Sequence, residues 1–306
     1  MHATRWAALL ILASTAACSA QPGPDTPLRT NMPGLEDTQP DARFGIADAD
    51  ALLERLEVAR SEIDTLTASL TYRREFAIAG DTQTRLGDLY FDNDADRAEG
   101  EADARTRFAV RFDRLIVGDR LERQDQLFVF DGEWLVEKVA SDRRFTKRQV
   151  APPGSTFDPL RIGEGPFPVP LGQRPADIVA RYNAELRPAT EGLRDAALAE
   201  FAEANLVQLR LTPKPEYEDT DDFTEIRLWY DPQTPAMLPK IARTETAIGD
   251  VSLVVVARAE LNQDLPADVF DTSTPPRGEG WNVTVSAYRA PVRTNAPVPG
   301  GTEAAP

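Results

Sequence analysis

The chain has 306 residues, 42 % of them hydrophobic, with one histidine, one cysteine and a formal charge of −16 at pH 7. That length and apolar content suit one large globular domain, and the acidic balance repels phosphate backbones, which excludes nucleic acid as a partner. A single cysteine excludes an internal disulfide.

Arg5, the apolar run from Trp6 to Ala13 and the small residues Ala16 and Ala17 predict a signal peptide over residues 1–17. The run is far shorter than the roughly 18 apolar residues of a membrane span. Cys18 follows immediately. Its setting resembles a bacterial lipobox, with Thr15 where Leu is usual, and makes Cys18 the expected lipid anchor to a membrane. Ordinary cleavage after Ala17 or Ala20, which releases a soluble protein, is the alternative reading. Residues 18–47 then read as a flexible tether, with five prolines and no apolar periodicity.

The domain expected over residues 48–288 opens with a helix capped by Asp48 or Asp50. Leu52, Leu56, Ala59, Ile63, Leu66 and Leu70 recur at intervals of three and four, which places them on one helical face. Strands follow. Arg73–Ile78 and Leu86–Phe91 flank Ala79-Gly80-Asp81, Phe108, Val110 and Phe112 alternate with polar or small residues, and Phe128 and Phe130 lead into Asp131-Gly132, a hairpin signal. Trp134-Leu135-Val136 leave that turn, and Arg143–Val150 continues the series.

Residues 151–173 hold six prolines and four glycines, which excludes a helix or a central strand. Pro175 then suits the first turn of a helix carrying Ile178, Val179, Tyr182 and Leu186. A second helix is expected from Leu193, Ala197, Phe201 and Ala204. Alternation resumes at Val207–Thr212, Ile226–Tyr230, Pro239–Ala247, Val251–Ala257 and Trp281–Ala287. The proline-rich residues 289–306 read as a disordered tail. The expected fold is α+β: a long, curved, half-open antiparallel sheet of about eleven strands, its concave face covered by the helices.

The sole histidine, His2, lies in the expected signal peptide. The mature chain therefore has no Ser-His-Asp triad, no Cys-His dyad and no histidine-ligated metal. No phosphate-binding glycine loop occurs, and no spacing singles out a carboxylate pair. Asp92-Asn93-Asp94-Ala95-Asp96 begins like a calcium loop but has Arg97 and Asp103 where Gly and Glu are required. No cofactor, no metal and no enzymatic activity are expected.

Several pieces together resemble the outer-membrane lipoprotein-sorting (LolA/LolB-like) carriers. They are Phe130-Asp131-Gly132-Glu133-Trp134, Leu209–Lys214, Ile226–Pro232, Asn262–Phe270 and Pro275-Pro276. The resemblance implies a half-open barrel whose apolar cavity accepts acyl chains of lipoproteins or other lipids, in the periplasm and tethered to the outer membrane. No polar cavity residue of that family falls on a matching motif. The candidate cavity residues are Phe128, Phe130, Trp134, Ile178, Val179, Tyr182, Val254 and Val256. A scaffold or sensor of the same fold, with a filled interior and a protein partner, is the alternative.

Overall fold

The computed structural model describes residues 44–93, 106–150, 175–193 and 205–288, together with Leu198 and Phe201. The described residues all belong to one compact unit. Cys18, residues 18–43 of the expected tether, the proline-rich 151–173 and the tail lie outside them. The last residues of that expected tether are corrected to part of the domain, since Ile46 is buried in the core and Phe44 packs against it.

Helix α1 (Ala49–Arg60) starts where sequence chemistry places it. The Asp48 carboxylate accepts the Ala51 N–H at 2.9 Å and so satisfies an orphan amide of the first turn. Leu52, Leu53 and Ala59 are buried. The helix stops at Arg60 rather than continuing to Leu70, and the Ser61 hydroxyl donates back to the Val58 carbonyl at 2.7 Å. Leu66 and Leu70 belong instead to strand β1 (Thr65–Glu75). A spacing of four keeps two residues on one face of a helix and equally on one face of a strand. The β-branched Thr65, Thr67 and Thr71 between them decide for the strand.

Strands β2 (Thr82–Asn93), β3 (Thr106–Val117), β4 (Arg120–Phe130), β5 (Trp134–Val139) and β6 (Arg144–Gln149) continue as an antiparallel meander. At the β4–β5 turn, Gly132 adopts φ +99°, and the Asp131 carboxylate accepts the N–H groups of Glu133 and Trp134 at 3.1 and 2.8 Å. Helix α2 (Pro175–Arg181) then leads into β7 (Tyr182–Arg187). The longer helix expected here is therefore corrected to one short helix followed by a strand. Tyr182 and Leu186 share a face at a spacing of four, the same ambiguity as in β1, and pairing with β8 resolves it. The second expected helix lies largely outside the described residues.

Strands β8 (Val207–Pro213), β9 (Glu225–Tyr230), β10 (Pro239–Glu245), β11 (Val251–Leu261) and β12 (Asn282–Ser286) complete one twelve-stranded sheet. Its order is β12-β6-β5-β4-β3-β2-β1-β11-β10-β9-β8-β7, which leaves β12 and β7 as its two edges. The sheet is open, and the expected α+β architecture holds with one more strand than the alternation shows. One pairing departs from the antiparallel rule: β12 runs parallel to β6. The reason is the chain's route. After β11, Val269, Phe270 and Trp281 pack with Ala109, Val129, Val136 and Phe145 on one face of the sheet, and the chain then arrives at β6 in the parallel sense.

Asn262, in one of the sequence motifs, starts that crossing. It adopts φ +56°, accepts the Asp64 N–H at 2.9 Å and donates to the Glu62 carbonyl at 2.9 Å, so it ties the end of β11 to the start of β1.

The two faces of the sheet differ. The inner face, which carries α1, holds Leu66, Leu70, Leu89, Phe108, Phe112, Phe130, Leu209, Leu228 and Val254 in one buried cluster with Leu52 and Ile178. The outer face packs Trp229, Ile241 and Leu253 against Leu193 and Leu198, with Phe201 beside them. Leu193 and Phe201, expected on a helix over the concave face, therefore cover the opposite one. No described helix is long and apolar enough to cross a membrane.

Candidate functional site

Strand register organises the inner face into rows. Val254, Tyr72, Arg85 and Leu115 form one row across β11, β1, β2 and β3, ending at Glu122 on β4. The next holds Val256, Leu70, Gly87, Phe112 and Gln126. Beyond it come Val110, Phe128 and Glu137, and then Phe108, Phe130 and Leu135. The aromatic rings touch along these rows. Tyr72 and Phe112 lie 6.2 Å apart, Phe112 meets Phe128 edge-on at 6.4 Å, and Phe108 stacks on Phe130 at 5.9 Å. Such ring pairs add to the burial energy, about 0.5–1.5 kcal/mol each. Phe108, Phe112 and Phe130 are fully buried, whereas Tyr72, Leu115 and Phe128 keep part of their surface open.

Six of the eight candidate cavity residues meet in this cluster. Phe130, Ile178, Tyr182, Val254 and Val256 are buried in it, and Phe128 packs against it from a half-open position. Burial pushes the Tyr182 phenol well above its usual range. Two candidates are corrected. Trp134 lies on the outer face, because Phe130 pairs with Leu135 across the hairpin and the side chain one residue earlier points the other way. There the Lys147 ammonium sits 5.1 Å from its ring centre, and Lys147 also donates to the Thr272 carbonyl at 3.1 Å. Val179 is 41 % exposed, since Ile178 takes the buried position of the short α2 and its neighbour is rotated away. Tyr72, Phe112 and Arg85 are among the inner-face residues that sequence reasoning did not single out as cavity candidates. For Phe112 the signal was its alternation with Phe108 and Val110; the other two need cross-strand register.

The outer face carries a different feature, a cavity of about 420 Å³ lined by Glu75, Glu191, Glu225, Arg227, Arg243 and Leu253 among others. Its charges are mutually satisfied. Arg227 donates to Glu191 at 2.8 Å and to Glu225 at 2.6 Å, Arg210 donates to Glu225 at 2.6 Å, and Arg243 pairs with Glu245 at 3.0 Å. Burial pushes the Glu225 carboxyl up, but the Arg227 and Arg210 hydrogen bonds outweigh it and hold the group below its ordinary 4.5. Glu191 is held down in the same way by Arg187 and Arg227. A carboxylate with a depressed folded-state pKa stabilises the fold above its unfolded value and loses that contribution as pH falls through the folded one. Urea midpoints should therefore drop as the pH is lowered below 4.5, and Arg227→Gln should flatten that drop while lowering the midpoint at pH 7. An unchanged pH profile in Arg227→Gln would show that the ladder contributes nothing.

Asp92 and Asn93, the first residues of the calcium-like motif, are buried at the end of β2, where Asp92 pairs with Arg107. The rest of the motif lies outside the described residues. Among the described residues no cluster of three or more His, Cys, Asp or Glu side chains could hold a metal.

No family model matches this chain. No curated protein matches it in sequence. Among solved structures, it is similar to a putative outer membrane lipoprotein-sorting protein domain from Vibrio parahaemolyticus, with 12 % identity, 72 % of this chain and 95 % of that one covered, and a TM-score of 0.35. It is also similar to a LolA superfamily protein from Nitrosomonas europaea, with 13 % identity, coverage of 73 % and 97 %, and a TM-score of 0.32. A third is the Pseudomonas aeruginosa MucA/MucB complex, with 17 % identity, coverage of 74 % and 61 %, and a TM-score of 0.34. The open sheet is established by its own strand order and pairing, and the chain is similar to solved proteins of the lipoprotein-sorting group that its motifs resemble.

Proposed function

We propose that this protein is an exported, lipid-anchored carrier that binds acyl chains of lipoproteins or other lipids on the inner face of its sheet, and that it is not an enzyme. The observation that carries this reading is the half-open aromatic row: Tyr72 and Phe128 flank the buried Phe112 and keep part of their surface open, as Leu115 beside them does. An acyl chain laid on that row removes apolar surface from water, at about 0.8 kcal/mol per buried methylene. Nothing in this task requires bond making, which fits a mature chain lacking histidine. Lipid extraction and mass spectrometry of the purified mature protein test the proposal. Stoichiometric acyl chains support it; a lipid-free protein that takes up no fatty acid favours the scaffold or sensor of the same fold.

We further propose that Cys18 carries the anchor and tethers the carrier to the outer membrane from the periplasmic side. Cys18→Ser should then move the protein from the membrane fraction to the soluble one or leave uncleaved precursor. Unchanged detergent partitioning would remove the anchor from the account.

A further inference from the structure

Arg85 is a charged residue in an unusual place. It lies on the inner face, in the row between Tyr72 and Leu115, one row from Phe112. Among the described residues its guanidinium makes one side-chain hydrogen bond, to the neutral Gln83 amide oxygen at 3.1 Å, and no ion pair. The carboxylates of that region are already engaged. Glu137 accepts from Gln126 at 3.0 Å and from Arg144 at 3.1 Å, Asp250 accepts from Arg74 and from the Ala77 N–H at 3.3 and 3.0 Å, and Glu122 pairs with Arg120 at 3.1 Å. Arg74, the neighbouring cation, thus has a carboxylate, whereas Arg85 has none.

An arginine remains charged at any physiological pH, so this half-buried guanidinium has lost part of its hydration, and the one neutral partner, Gln83, supplies no counter-charge. Burial pulls its pKa below the usual arginine value, and the opposing fields of Tyr72 and Glu137 do not restore it. Its planar fork is matched by two oxygens of one carboxylate or phosphate.

Resting on the acyl-binding reading above, we propose that the ligand is an anionic amphiphile, whose carboxylate or phosphate head group docks on Arg85 while its chain lies along Tyr72, Phe112 and Phe128. The head group and the chain are then read by adjacent rows of one sheet. An aliphatic chain with a neutral head satisfies only half of the site.

A fluorescent long-chain fatty acid and the corresponding neutral alcohol, titrated into the mature protein, test this directly. The acid should bind roughly 10- to 100-fold more tightly than the alcohol, the range expected for a charge-assisted pair. Arg85→Gln should bring the acid down to the alcohol's affinity, and Arg85→Lys should keep part of the preference. Equal binding of acid and alcohol to the wild-type protein would overturn the head-group assignment and leave acyl binding standing, and this arm needs no variant that folds. Binding of neither would overturn the acyl-binding reading and the head-group assignment with it. Competition by inorganic phosphate separates the sources of the anion. Displacement of the acid only far above its own dissociation constant supports an amphiphile, whereas inorganic phosphate as potent as the acid would mark a free-anion site and contradict the proposal.

Discussion

Gly87→Ala should be among the most damaging single substitutions in the sheet, lowering stability by about 3 kcal/mol, the upper end of the usual overpacking cost. A Cβ at this position would stand 1.9 Å from the Arg111 carbonyl oxygen and 2.8 Å from both Arg111 C and Phe112 Cα. Those neighbours are backbone, so no rotamer change relieves the clash. β2 and β3 must separate where both shift register, between Leu86 and Gly87 on one strand and between Phe112 and Arg114 on the other. Bulges of this kind let a strand bend and twist more strongly. Gly87 therefore links a missing side chain to the shape of the inner face, since it sits in the row of Leu70 and Phe112. Equilibrium urea unfolding measures the effect, and a midpoint equal to wild type would show that β3 tolerates a side chain there.

Phe128→Asp should reduce affinity for a long-chain fatty acid by more than about tenfold, since the lost apolar contact of several methylenes at ~0.8 kcal/mol each adds to repulsion from the incoming anion. The partner experiment is Trp134→Asp. Trp134 lies on the outer face beside Lys147, so the new carboxylate meets a cation and the inner face is untouched. Fatty-acid titration of both variants separates the faces. Loss of binding in Trp134→Asp with retention in Phe128→Asp would reverse the assignment of the inner row.

The contrast between those two residues shows what the sequence makes legible. Alternation exposes the strands because one face of each is buried, and Asp131-Gly132 marks the hairpin through a carboxylate and a positive φ that the turn uses directly. Yet Phe130 and Trp134 stand equally close to that turn, and only the pairing of Phe130 with Leu135 turns Trp134 outward. Spacings of four misled twice, at Leu66 and Leu70 and at Tyr182 and Leu186, because helix and strand both place such residues on one face. Local β-branching resolves the first case, whereas the second depends on β8, which lies beyond an intervening segment.

Arg85 was hidden for another reason. A charged residue at the start of a strand reads as a solvated one, and its inward placement rests on pairing with Tyr72 and Leu115, both distant in the chain. The outer Arg–Glu ladder is similarly long-range. Arg227 meets Glu225 locally but Glu191 only through the segment that folds back over β9. Period-two patterns thus identify which strands exist, while the partners across the sheet decide which side chains share a site.

The most direct test of the central claim places a ligand atom on a face of the sheet. A fatty acid brominated near its methyl end, bound to the mature protein and located by anomalous diffraction, should give a bromine peak on the inner face beside Phe112 or Phe128. A peak in the Arg–Glu cavity of the outer face, or no peak at saturating ligand, would contradict it.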